Sequence, residues 1–69
     1  MPKLPVRTGK QLVRILQANG FILDHITGSH HILVDEDGKR ITVPVHNRDL
    51  PKGTLSEILK QAGIRSDEI

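Results

Sequence analysis

Thr27 to His31 reads TGSHH, and positions 43–46 read VPVH; together they hold His30, His31 and His46, three of the chain's four histidines. Imidazole titrates near neutrality, so it can take a proton from a hydroxyl and return one to a leaving group. Two such groups brought together would suit general acid–base catalysis. Gly28 and Ser29 add a permissive turn and a hydroxyl beside them.

Other chemistries fit less well. A zinc site from His25, His30, His31 and His46 has no cysteine to help it and no pair at helical i, i+4 spacing. His30 and His31 are also adjacent, so on a strand they point to opposite faces. Asp35, Glu36 and Asp37 sit together in one segment and read as solvated turn residues, whereas a two-metal nuclease needs carboxylates converging on the reacting phosphate. There is neither a Walker A loop nor a dinucleotide glycine fingerprint. No metal or cofactor is therefore expected. His25, mid-strand and with no companion motif, is assigned no role.

The elements that must position these groups follow from periodicity and punctuation. Thr8 and Gln11 have capping-box spacing, and Leu12, Val13, Ile15 and Leu16 then give a helical apolar stripe that Asn19-Gly20 ends. Phe21–Ile26 reads as a strand, Thr27-Gly28 as a turn, residues 29–35 (SHHILVD) as a second strand and residues 39–45 (KRITVPV) as a third. Pro44 cannot donate to a ladder, so the third strand is an edge or ends there. After the loop HNRDLPKG, Thr54 and Glu57 have capping-box spacing again, with Leu55, Ile58, Leu59 and Ala62 as the stripe, Gly63 as the stop and Ile64 folding back. The order is helix, three antiparallel strands, helix. Two singly striped helices and one small sheet pack best as an α+β fold with both helices on one sheet face and the other face in water. That is the α-β-β-β-α order of the double-stranded-RNA-binding fold.

The turn after the second strand decides which histidine is open. A two-residue type I′ turn at Asp37-Gly38 would pair Glu36 with Lys39 and put His30, Ile32 and Val34 on the core face. A three-residue loop with Gly38 left-handed would pair Asp35 with Lys39, leaving His30, Pro44 and His46 on the open face and His31 inside. Counting apolar residues favours the first; the glycine permits both.

Sixty-nine residues with a single Phe, no Trp or Tyr and no Cys make one small domain, residues 1–69, whose core must come from Leu, Ile and Val. The lack of cysteine fits a reducing cytoplasm, and neither a signal-type segment nor a membrane-length apolar run is present. The net charge is only +2, but Lys3, Arg7, Lys10 and Arg14 all precede the first acid, Asp24. Such a patch suits a polyanion. With base-stacking aromatics almost absent, contacts to phosphates and 2′-hydroxyls of a shaped RNA fit better than a stacking platform.

Nearly end to end, the chain resembles the HicA (YcfA-like) family of small toxins from toxin–antitoxin pairs. The resemblance is carried by LVRILQANGF, TGSHHIL, DGKRITVPVH and LPKGTLSEILKQAGI at their spacings. It implies a double-stranded-RNA-binding-like fold used as an mRNA interferase, a metal-independent endoribonuclease with one essential histidine in GSH, here His30. His31 is the alternative. The resemblance thus favours the three-residue turn. It also implies a HicB-type antitoxin that covers the histidine face. Transfer of the 2′-OH proton to histidine, attack on the adjacent phosphate and expulsion of the 5′-oxygen fit this equipment, since the nucleophile belongs to the substrate. DNA lacks that hydroxyl and should be neither cut nor bound by the toxin alone. His46 is the candidate acid, and Lys10, Arg14, Ser29, Lys39 and Arg40 are the expected RNA contacts. The alternatives are a non-catalytic RNA-binding module of the same fold and a protein that binds only its partner.

Overall fold

A computed structural model describes residues 4–69; Lys3 of the basic patch lies outside them. Helix α1 (Gly9–Ala18) begins at the expected capping box: the Thr8 hydroxyl accepts from the Gln11 N–H at 3.2 Å, and Gln11 Oε1 accepts from the Thr8 N–H at 2.9 Å. Two helix-end donors are thereby satisfied within one turn. Leu12, Val13 and Leu16 are buried on one side. The helix closes where the Phe21 N–H reaches the Leu16 carbonyl at 3.0 Å. Phe21 is therefore part of that closure and of the core rather than a strand residue, and the first strand starts one position later than its sequence suggests.

Strands β1 (Ile22–Thr27), β2 (His30–Val34) and β3 (Arg40–Pro44) form an antiparallel sheet in the order β1-β2-β3, with β3 at one edge. Across the sheet, Leu23, Leu33 and Ile41 align in one row and Ile26, His31 and Val43 in the next. This is the face the helices cover. Leu33, Ile41 and Val43 meet Leu12 and Leu16 of α1 and Leu55, Ile58 and Leu59 of α2 (Lys52–Ala62) in one apolar cluster. Each such side chain contributes about 1.5–3 kcal/mol on leaving water. The α+β order and the two-helices-on-one-face arrangement hold.

Helix α2 differs from expectation at its start. It begins at Lys52 behind Pro51, with no side-chain cap, so Thr54 and Glu57 form no capping box. The Pro51 carbonyl accepts the Leu55 N–H at 3.0 Å, and proline's fixed φ, here −55°, leads the chain straight into the helix. Thr54 is thus already inside the first turn. At the other end Gly63 is left-handed (φ 72°), the Ile64 N–H bonds the Leu59 carbonyl at 2.9 Å, and Ile64 is buried. That is the fold-back expected of this sequence. No helix among the described residues is long and apolar enough to cross a membrane.

Candidate active site on the open sheet face

The β2–β3 turn resolves the two registers. Asp35 N–H donates to the Lys39 carbonyl at 3.0 Å, and Gly38 N–H donates to the Asp35 carbonyl at 3.1 Å. Gly38 is left-handed (φ 83°), and no non-glycine residue among those described has positive φ. A type I′ turn would force Asp37 to positive φ as well; the three-residue loop places that demand on glycine alone. The Asp35 carboxylate accepts from the Asp37 and Lys39 N–H groups at 3.0 and 2.8 Å. Asp35 is accordingly a structural tie of the loop, not a merely solvated acid as its position suggests.

The consequence is a pairing of His30 with Pro44 and of His31 with Val43. His30 is exposed on the open face. His31 turns to the helix side, half-buried, with Nδ1 out of contact with water and without a hydrogen-bond partner. Apolar counting fails because the open face is itself apolar in part. Ile32 faces that way and is still buried by its neighbours, yet it belongs to no part of the main core; Ile22 on the same face is 69% exposed.

Around His30 several segments converge. Thr27 pairs with it from β1, across the tight turn Gly28-Ser29, where Gly28 has φ 58°. The turn therefore lies one residue further along than Thr27-Gly28, and Ser29 caps the hairpin tip instead of starting β2. The Ser29 carbonyl accepts the Val45 N–H at 2.6 Å, fastening the chain leaving β3 to that tip. From the helix side, Gly9 lies so close to β3 that a Cβ there would stand 2.3 Å from the Pro44 carbonyl oxygen. Only glycine lets the first turn of α1 press on the strand end in this way.

That contact brings Lys10 to the loop after β3. A hollow of about 510 Å³ is bordered by Lys10, Val45, His46 and Arg48, and a second of about 280 Å³ by Pro44, His46, Arg48 and Thr54. His46 and Arg48 border both. Arg48 was not among the expected contacts; the signal for it is its place two residues after His46 in a loop bound to both sheet and helix. Arg14 lies one turn beyond Lys10 on the same side of α1, about 6 Å along its axis. Arg40 starts β3 at the opposite end, four residues or about 13 Å from Pro44, and pairs with Val34, with Lys39 one residue further off. The structure does not bring these two together with His30. The ion pairs among the described residues join Asp24 to His25 and Arg65 to Asp67 and Glu68, so none occupies Lys10, Arg14, Lys39, Arg40 or Arg48.

His25 also lies on the open face. It pairs with Ile32, in the row next to that of Thr27, His30 and Pro44. A bulge between Leu23 and His25 interrupts the alternation of β1, and the Asp24 carboxylate holds His25 Nδ1 at 2.7 Å. Two neighbouring residues of a regular strand would point apart; the bulge is what lets them meet.

Compared with protein-family models, residues 9–64 match the model described as HicA toxin of bacterial toxin–antitoxin. No curated protein matches the chain.

Proposed function

The chain belongs to the HicA toxin family, and from that premise we propose that it is an endoribonuclease acting on mRNA, with His30 as the general base and a HicB-type antitoxin as the partner that silences it. The observation that carries this reading is the exposure of His30 on the uncovered sheet face, in the row between Thr27 and Pro44 and beside the loop of His46 and Arg48.

In this reading His30 takes the proton of a ribose 2′-hydroxyl. The freed oxygen attacks the neighbouring phosphorus, the bond to the 5′-oxygen breaks, and the products are a 2′,3′-cyclic phosphate and a 5′-hydroxyl. Because nucleophile and electrophile already belong to one substrate, the protein has to orient them and move protons. Lys10, Arg14 and Arg48 supply charge that positions the backbone and offsets the growing negative charge on phosphate. Lys39 and Arg40 act on the duplex or strand further along, and the Ser29 hydroxyl adds a contact at the hairpin tip. A second group must protonate the departing oxygen, and His46 is the candidate that the VPVH motif offers. An antitoxin covering the open face would bury Ile22 and deny RNA access to His30 together.

The test is cleavage of one oligoribonucleotide, in EDTA, beside the same oligonucleotide carrying 2′-deoxyribose throughout. The proposal expects a cyclic-phosphate product from the first and an intact second strand. An intact ribose strand as well, with folded protein that binds it, would make a non-catalytic RNA-binding module the correct reading.

A further inference from the structure

We propose that His25, held by Asp24, is the group that protonates the departing 5′-oxygen. This inference rests on the nuclease reading above and assigns its second proton carrier differently from the loop residue His46.

Three observations on the structure meet at this pair. The first is orientation. A carboxylate only accepts hydrogen bonds, so the 2.7 Å contact from Asp24 Oδ2 to His25 Nδ1 requires the proton on Nδ1. Nε2 is then the nitrogen left to exchange a proton with a substrate, and the ring is fixed in one plane, as when a third group orients a catalytic base. The second is access: the two side chains are 49% and 45% exposed, so a phosphate can reach the imidazole. The third is position. His25 stands opposite Ile32 and His30 opposite Thr27, which makes the two histidines diagonal neighbours on one face of the β1–β2 pair. Diagonal neighbours have Cα atoms about 7–8 Å apart. Two histidines whose Cα atoms stand at that spacing on one face can flank one phosphate, as a displacement with entering and leaving oxygens on opposite sides of phosphorus demands.

His46 shares the access but has neither the orienting carboxylate nor a place in the sheet. It lies past the end of β3, exposed, and among the described residues no carboxylate orients it. The bulge at Asp24 also acquires a purpose, since it turns the carboxylate toward His25.

The protons balance in one step. His30 begins neutral and His25 protonated. His30 accepts the 2′-OH proton, the 2′-oxygen bonds to phosphorus, the bond from phosphorus to the 5′-oxygen breaks, and His25 Nε2–H delivers its proton to that oxygen. His30 ends protonated and His25 neutral, and exchange with water restores both.

A leaving group that needs no proton separates this role from a structural one. We would compare a normal dinucleotide linkage with one whose bridging 5′-oxygen is sulfur, which departs as thiolate. His25→Ala is expected to slow the normal substrate by about 100- to 10,000-fold, the range for loss of a general acid or base, and to cut the sulfur-bridged one at nearly the wild-type rate. Asp24→Ala should show a smaller loss with the same pattern, and His30→Ala should lose both substrates. Equal losses of His25→Ala on both linkages, or no loss, would overturn the assignment. Rescue of His46→Ala by sulfur, in place of His25→Ala, would return the role to the loop. A wild-type protein that cuts neither linkage would overturn the nuclease reading itself, and this inference with it.

Discussion

His30 lies opposite Pro44 across the β2–β3 ladder, and this pairing sets its imidazole on the face the helices leave open. Shift the register by one residue and His31 would take that place. The relation is held from the far end of the strands by Asp35 and Gly38, whose loop leaves only one way for the strands to align.

Gly38 is therefore a lever on the site from beyond the far end of β2. With φ 83° and open space around it, an added methyl meets no neighbour but an unfavourable backbone. Gly38→Ala should destabilise the protein by about 1–2 kcal/mol through the left-handed penalty, read as a lowered urea midpoint. Gly38→Asn, which tolerates that region better, should recover much of the loss.

Gly9 and Gly53 give opposite signs for the same substitution. At Gly9 a Cβ would stand 2.3 Å from the Pro44 carbonyl oxygen, a backbone atom that cannot turn away. Gly9→Ala should cost about 1–3 kcal/mol, as overpacking does. Gly53, in α2, has nothing within 4 Å of its would-be Cβ and no positive φ. Gly53→Ala should stabilise by about 0.5–1 kcal/mol through helix propensity. Paired urea titrations check both.

Arg48 is expected to contact RNA phosphate, because it borders both hollows with His46, one of them also with Lys10, and none of the ion pairs among the described residues involves it. Arg48→Ala should weaken binding of a non-cleavable 2′-deoxy-substituted RNA at the cleavage site. It should also make the slope of log affinity against log salt shallower by about 0.7, the share of one phosphate on a single strand. Fluorescence anisotropy over a salt series reads it. An unchanged slope would remove Arg48 from the interface.

Much of the fold was legible because its signals are local. The Thr8–Gln11 box, the Leu12–Leu16 stripe and Gly63–Ile64 each specify geometry within one or two turns of chain. The start of α2 differs from expectation because Thr54–Glu57 spacing and a proline lead-in at Pro51 compete, and the proline, three residues before Thr54, prevails. The register was not legible from apolar counting, since Ile22, Ile32 and Val34 put apolar groups on the open face too. The likeness to the family favoured the register found, but its physical cause is Gly38 alone taking positive φ. Asp24–His25 was hidden for another reason: adjacent strand residues normally point apart, and a bulge leaves no clear mark in composition. Arg48 was hidden in a loop whose path is set by contacts distant in sequence, the Leu50 N–H to the Arg7 carbonyl at 2.8 Å among them.

The central claim is that the open-face histidine does the chemistry, and single-residue comparison of His30→Ala with His31→Ala tests it most directly. Mixed RNA would be incubated in EDTA with each variant and with wild type, after their folds are compared by circular dichroism. Loss of cleavage in His30→Ala, with activity kept in a folded His31→Ala, is the predicted result. Cleavage that persists in His30→Ala, or is abolished only in a folded His31→Ala, would contradict the account.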